Sequence, residues 1–146
     1  MDIAENVAMV RSRIAEAARA AGRSEQDILL VAATKMNDAA RVRQAIAAGV
    51  TICGENRVQE MLEKNAQAAY AGARLHLIGH LQKNKVRQVV GTAALIESVD
   101  SVELMRLIDR VAESKGIKQE ILFEVNIGGE AAKSGFAPED IPSAIE

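Results

Sequence analysis

The stretch ILLVAATK, residues 28–35, carries the strongest signal of the fold. It opens with an unbroken apolar run of strand length that contains β-branched side chains, which predicts a strand, Ile28–Ala33, buried on both faces. Thr34 and Lys35 stand at the end of this strand. Upstream, over residues 3–21, apolar side chains recur at spacings of three and four, and this pattern predicts an amphipathic helix.

The alternation of helix and strand continues downstream. Further strands are predicted at Val50–Cys53, Leu75–Ile78, Ala93–Ser98 and Gln119–Ile127. Helices are predicted between them, including Lys83–Val90 and Val102–Ser114, and Pro138 is placed to open another at its first turn. Strands separated by helices form successive βα units, and right-handed crossovers then give a parallel sheet with the helices packed outside it.

Two α/β architectures are compatible with this pattern. A complete eight-unit barrel typically takes ~250 residues, whereas a doubly wound open sheet closes its core in a shorter chain. On length alone, the 146 residues favour the open sheet. No linker rich in proline, glycine or serine interrupts the pattern, so residues 1–146 are predicted to form a single domain.

Charge and composition narrow the partners that the sequence allows. The formal net charge is −2, from 18 basic and 20 acidic residues, so neither nucleic acid nor a membrane surface is an expected partner. The single cysteine, Cys53, cannot form an internal disulfide, which fits a reducing compartment. The sequence lacks a signal peptide and a bilayer-spanning apolar segment, so we expect a cytoplasmic protein.

In a parallel sheet the loops after the strands gather at one edge, where ligands bind. Lys35 stands out there because partial desolvation at the end of an apolar strand would favour the nucleophilic amine, which can form a Schiff base. A solvated strand end is the more common role of such a lysine. Gly54 and Gly79 precede two predicted helices and could bring backbone N–H groups to an anion, but ordinary turns explain them equally well.

Other candidate groups favour structural roles. His76 and His80 are four apart, but His76 falls inside a predicted strand and no further ligands complete a metal site, so a core and a loop histidine are expected. The basic residues at 83–87 lack neighbouring aromatic side chains for base stacking and fit a solvated helix face. Cys53 is expected to be a small buried side chain rather than a nucleophile.

Five segments together resemble the YggS/PROSC family in order and spacing. They are LLVAATK at 29–35, GENRVQE at 54–60, HLIGHLQKNK at 76–85, ESVDS at 97–101 and FEVNIGGEAAKSGF at 123–136. The resemblance implies a parallel (β/α) TIM-barrel type fold similar to the N-terminal domain of alanine racemase. The family's chain continues for about three more βα units, so this chain is expected to form an incomplete barrel of about five units with a leading helix.

The resemblance also implies a cofactor and the residues that hold it. Pyridoxal 5'-phosphate would be carried as a Schiff base on Lys35, with Asn56 of the GEN motif beside it and Lys133 of the KSG motif involved in its handling. With Gly54 and Gly79, these are the candidate cofactor-binding residues, and no catalytic or metal-binding residue is assigned.

The implied role is a carrier in pyridoxal phosphate homeostasis that passes the cofactor to apoenzymes, without an established turnover reaction. An alanine-racemase-like enzyme acting on amino acids and a simple binding or scaffold module are the alternatives. An incomplete barrel exposes an unpaired sheet edge and apolar interior side chains, so self-association is also expected.

Overall fold

The computed structural model describes residues 2–145, so the first and last residues of the predicted domain lie outside the described part. Its five parallel strands form one sheet in the order β1-β2-β3-β4-β5. The strands are β1 Ala32–Ala33, β2 Ile52–Glu55, β3 Arg74–Leu77, β4 Leu95–Val99 and β5 Glu120–Phe123.

The strand order decides between the two predicted architectures. A doubly wound sheet reverses its strand order at a switch point, whereas every strand here lies beside its neighbour in sequence. The open doubly wound sheet favoured by length is therefore wrong. Consecutive parallel strands joined by helices are the arrangement of a (β/α) barrel, and the described residues form five of its units.

Six α-helices connect and flank the strands of the described chain. They are α1 Ile3–Ala20, α2 Ala39–Ala47, α3 Val58–Ala66, α4 Val86–Val89, α5 Val102–Ser114 and α6 Ile141–Ile145. Helix α1 begins with a capping box in which Asp2 and Glu5 each accept a hydrogen bond from the other's backbone N–H. The predicted helix Lys83–Val90 is a 3-10 turn, Lys83–Lys85, followed by α4.

The hydrophobic core lies between the sheet and its helices. Alternate strand residues face the helices, and among them Cys53, Leu77 and Ile96 are fully buried. Met61 from α3 and Leu104 from α5 pack into the same cluster. Burial of each such aliphatic side chain stabilises the fold by about 1.5–3 kcal/mol, so this side of the sheet supplies most of the apolar stabilisation.

The first strand differs from its prediction. Only Ala32–Ala33 pairs as a strand, Leu29 is 74% exposed and Ala33 is exposed, so the predicted burial on both faces is wrong. The physical reason is position, because β1 is the edge of the sheet and only β2 pairs with it. An edge strand with an uncovered inner face leaves its apolar side chains in water.

The second and fifth strands are shifted or shortened relative to prediction. Strand β2 extends to Glu55, so Gly54 lies inside the strand instead of directly before a helix. Strand β5 ends at Phe123 rather than Ile127.

No helix in the described part of the chain is both long enough and apolar enough to cross a bilayer.

Candidate functional site

Lys35 follows β1 at the carboxyl edge of the sheet. The preceding Thr34 turns its side chain toward α3, so strand alternation places Lys35 on the opposite, inner face of the sheet. The Lys35 side chain is exposed, and no hydrogen bond or ion pair engages its amine within residues 2–145. The expected partial desolvation is therefore absent, because β1 is an edge strand.

The backbone on both sides of Lys35 is held by α3 and β2. The Thr34 N–H donates to the Gly54 carbonyl at 2.9 Å, and the Thr34 carbonyl accepts from Lys64 Nζ at 2.7 Å. Met36 adopts a left-handed φ of 61°, and its N–H donates to Glu60 Oε1 at 2.6 Å. Lys35 is thus an exposed side chain without a polar partner, on a stretch of backbone that hydrogen bonds hold at both ends.

The groups that hold this backbone form a buried cluster of charged and polar side chains. Glu55 is fully buried, and its Oε1 accepts hydrogen bonds from Lys64 Nζ at 2.8 Å, Thr34 Oγ1 at 2.6 Å and the Tyr70 hydroxyl at 2.9 Å. Lys64 Nζ also donates to Glu60 Oε1 at 2.7 Å. Glu55 Oε2 is buried without a hydrogen-bond partner in the described chain.

Sequence reasoning missed this cluster, because the predicted second strand ends at Cys53 and leaves Glu55 outside it, whereas β2 includes Glu55. One signal was available in α3. Val58, Met61 and Lys64 are spaced by three and are the buried residues of that helix. A lysine in register with two apolar residues of an amphipathic helix points toward the sheet, where burial requires a carboxylate partner.

Hydrogen bonding and burial shift the pKa values of the cluster. Burial opposes the charged form of Lys64, but hydrogen bonds to Glu55 and Glu60 outweigh it and hold the pKa of Lys64 above 10.5. The hydrogen bond from Lys64 lowers the pKa of Glu60 below 4.5. Burial, with the hydrogen bond to Glu55, raises the pKa of Tyr70. The cluster is therefore charged at neutral pH through a Lys64–Glu60 pair.

Cys53 lies on the helix-facing side of β2, next to this cluster. It is a free thiol with no exposed surface. Burial, followed by the nearby Glu55 carboxylate, raises its pKa to about 11. The thiolate is thus disfavoured at neutral pH, which confirms the prediction of a small buried side chain rather than a nucleophile.

Asn56 and Gly79 bring the loops after β2 and β3 into contact. A Cβ atom on Gly79 would lie 2.2 Å from the Asn56 carbonyl oxygen, so only glycine fits there. The Gly79 carbonyl also accepts a hydrogen bond from Ser98 Oγ at 2.6 Å. Asn56 is half-buried, and no hydrogen bond within residues 2–145 engages its side-chain amide. Gly54 faces inward below Asn56, close to Ile78.

Lys133 lies in the loop after β5, at the opposite end of the same edge. Its Nζ forms an ion pair with Glu130 Oε1 at 2.8 Å, and both side chains are exposed. Asn126 Nδ2 closes this loop by donating to the Glu130 carbonyl at 2.9 Å. The structure thus groups Lys35, Asn56 and Gly79 in adjacent loops and leaves Lys133 four strands away.

The two histidines occupy the predicted kinds of position, one in the core and one in a loop. His76 is buried within β3 on the inner face, and its Nδ1 lies 2.7 Å from Glu97 Oε1. His80 is exposed in the following loop, 3.6 Å from Asp100 Oδ2. Within residues 2–145 no group of three or more potential ligands is arranged to hold a metal ion.

The five sequential βα units of the described chain define an incomplete (β/α) barrel, and comparison with known proteins agrees. The chain belongs to the family described as alanine racemase, N-terminal domain, which matches residues 3–146. The predicted resemblance to the YggS/PROSC family is also confirmed, because curated relatives carry the name pyridoxal phosphate homeostasis protein.

Two relatives and two solved structures illustrate the similarity. The Pseudomonas aeruginosa pyridoxal phosphate homeostasis protein is 43% identical over 147 residues, which cover 99% of this chain and 63% of the relative. The Aquifex aeolicus protein of the same name is 37% identical, with coverages of 100% and 64%. This chain therefore spans just under two thirds of the length of these relatives.

Two of the solved structures that resemble this chain are forms of PipY from Synechococcus elongatus. The form without pyridoxal phosphate has a TM-score of 0.84 at 33% identity, and the match covers 98% of this chain and 64% of PipY. The form with pyridoxal phosphate bound has a TM-score of 0.79 at 32% identity, with coverages of 99% and 62%. Both confirm the incomplete barrel fold.

Proposed function

We propose that this chain binds pyridoxal 5'-phosphate as a Schiff base on Lys35 and serves in pyridoxal phosphate homeostasis. In this proposal residues 1–146 form one domain, the N-terminal part of a cofactor-binding barrel. The single observation that carries it is the exposed, unpartnered Lys35 amine on the inner side of the carboxyl edge. The names of the curated relatives and the pyridoxal phosphate bound to PipY support it.

The residues at this edge fit an aldehyde cofactor. The Lys35 amine forms a C=N bond to the aldehyde carbon, and the aldehyde oxygen leaves as water with the two amine hydrogens. Bound in this way, pyridoxal phosphate supplies an electron sink. Asn56, whose amide has no partner within residues 2–145, would lie beside the ring. Gly79 would keep the neighbouring loop close, and Gly54 lets the Ile78 and Val31 side chains pack against the strand beneath.

Lys133 has a part in the proposal that requires its side chain to move. Its ammonium is paired with Glu130 at the far end of the edge, so it would have to leave that pair to reach the cofactor. A second lysine on the same edge could receive the aldehyde from Lys35 during transfer and free the Lys35 amine, which suits a carrier that delivers cofactor to apoenzymes. Such delivery fits a protein of the cytoplasm, where the free Cys53 stays reduced.

The cofactor proposal is tested by chemical trapping. The chain is incubated with pyridoxal phosphate, the visible absorbance of the lysine adduct is recorded, and borohydride then fixes a pyridoxyl group for peptide mass spectrometry. We expect the group on Lys35 and its loss in Lys35→Ala. Lys118→Ala is the matched control, since Lys118 is also exposed. Equal labelling of Lys35 and Lys118 would reject the proposal.

Self-association is part of the same proposal. Strands β1 and β5 are the outermost strands of the sheet, and Leu122 on the inner face is 51% exposed. Unpaired edges and apolar inner side chains favour pairing with a second copy. We expect dimers or larger species in sedimentation velocity and fewer of them in Leu122→Lys. A monomer that melts cooperatively at every concentration would contradict this expectation.

A further inference from the structure

The Lys35 side chain makes no polar contact within residues 2–145, so the position of its amine depends on the backbone that carries it. We infer that Lys64 and Glu60 are positioning residues for Lys35, fixing the main chain on its two sides through the buried cluster centred on Glu55. This inference rests on the proposed function and names two residues of helix α3 that the proposed site needs.

The first step is the residue before Lys35. The Thr34 carbonyl accepts from Lys64 Nζ, while the Thr34 hydroxyl donates to Glu55 Oε1, so both its main chain and its side chain are tied to the cluster. Thr34 is buried. Hydrogen bonds to a buried ammonium and a buried carboxylate are stronger than neutral ones, and they are not exchanged for water.

The second step is the residue after Lys35. Met36 is a non-glycine residue with a φ of 61°, a left-handed conformation that is unfavourable for a residue with a side chain. Its side chain is 92% exposed, so packing of that side chain does not hold the conformation. The conformation is held by the hydrogen bond from the Met36 N–H to Glu60 Oε1 and by the turn that the Asn37 N–H closes on the Thr34 carbonyl at 3.3 Å.

The third step is the link between the two sides. Glu60 and Lys64 lie four residues apart on α3, and the same Glu60 oxygen accepts from both Met36 and Lys64. Lys64 in turn contacts Glu55 and the Thr34 carbonyl. One connected network therefore fastens residues 34 and 36 to a single helix, and Lys35 between them has a defined starting point for its side chain.

The test compares three variants on α3. Glu60→Ala removes the Met36 contact but leaves the Lys64–Glu55 pair, so it avoids a buried unpaired charge. Glu60→Gln keeps an oxygen that can accept from Met36. Glu63→Ala is the matched control, because Glu63 is an exposed carboxylate of the same helix. Thermal melting of each variant verifies that the chain folds.

Two readouts are taken from each variant. The first is hydrogen exchange of the Met36 amide, which requires no cofactor. We expect the exchange rate of this amide to rise about tenfold or more in Glu60→Ala. In Glu60→Gln the rate should stay near that of the parent, and in Glu63→Ala it should not change. The second is the rate of borohydride trapping at Lys35 relative to Lys118 in the same molecule. We expect this ratio to fall several-fold in Glu60→Ala alone, whereas general loosening of the fold would change both lysines.

Unchanged Met36 exchange in Glu60→Ala would overturn the inference, and so would faster exchange with an unchanged Lys35 to Lys118 ratio. If the parent chain acquires no pyridoxyl group at Lys35, the proposed function fails. In that case the hydrogen-exchange measurement at Met36 still decides whether Glu60 fixes the backbone, so the two failures are distinguishable.

Discussion

The two faces of the sheet differ in how far they bury the side chains that alternate along each strand. The helix-facing side buries Cys53, Leu77 and Ile96 completely, and it also buries the Glu55–Lys64 pair. The inner side leaves Lys35 exposed and Leu122 half exposed. Stability is therefore concentrated on one face, while the proposed chemistry lies on the other, and successive residues such as Thr34 and Lys35 belong to different faces.

The two lysines on either side of this divide make the difference concrete. Lys64 is buried and makes three hydrogen bonds to oxygen atoms within 2.8 Å. Lys35 is exposed and makes none within residues 2–145. A lysine side chain is therefore a structural cation held by hydrogen bonds at position 64, and an exposed group without a polar partner at position 35.

The largest expected effect comes from breaking the buried pair. Lys64→Met leaves Glu55 buried without its cation, and breaking a buried pair in this way costs about 3–5 kcal/mol of unfolding free energy. Urea denaturation measures the loss. Lys118→Met, at an exposed position, should stay within about 0.5 kcal/mol of the parent. Similar stabilities for the two variants would show that the pair contributes little.

A comparison of two leucines tests the division between faces directly. Leu77→Ala on the helix-facing side should cost about 2–5 kcal/mol, because it leaves a cavity in the core. Leu122→Ala on the inner side should cost less than about 1 kcal/mol, because the side chain is already 51% exposed. Both are measured by urea denaturation at a single protein concentration, and equal costs would contradict the division.

A smaller effect is expected from acid. The pKa of Glu60 is lower in the folded chain than its ordinary value of 4.5, so its contribution to stability is present above that value. The contribution is lost as the pH falls through the lower, folded pKa. Stability measured between pH 5 and 2 should therefore fall less steeply in Glu60→Gln than in the parent. Identical slopes would exclude Glu60 as a source of the acid sensitivity.

The smallest effect on stability is expected at Lys35. Its amine has no partner within residues 2–145, so Lys35→Ala should change the free energy of unfolding by less than about 0.5 kcal/mol. Calorimetry or urea denaturation measures this change, while the same variant should lose the trapped pyridoxyl group. A large destabilisation would mean that Lys35 has a structural role on the inner face.

Local patterns predicted much of the fold. Apolar runs located all five strands to within a few residues. The burial of Cys53 followed from its place in a strand. Chain length misled the choice of architecture, because length says nothing about strand order, and the motifs resembling the YggS/PROSC family corrected it.

The missed features depend on tertiary contacts. The exposure of Lys35 follows from the edge position of β1, which no local pattern contains. The burial of Glu55 depends on a strand two residues longer than its apolar run, and on Lys64 arriving from α3 to neutralise it. Sequence reasoning found the lysine of the proposed site but not the charges that hold its backbone.

The close approach of Gly79 to Asn56 limits the gap between the loops after β2 and β3. At this point two main chains touch with no side chain between them, so the loops after β2 and β3 are as close as a polypeptide allows. A single methyl group added at Gly79 would push the two loops apart. The gap between the two loops is therefore set at its lower limit by backbone alone, and any substitution there could only widen it.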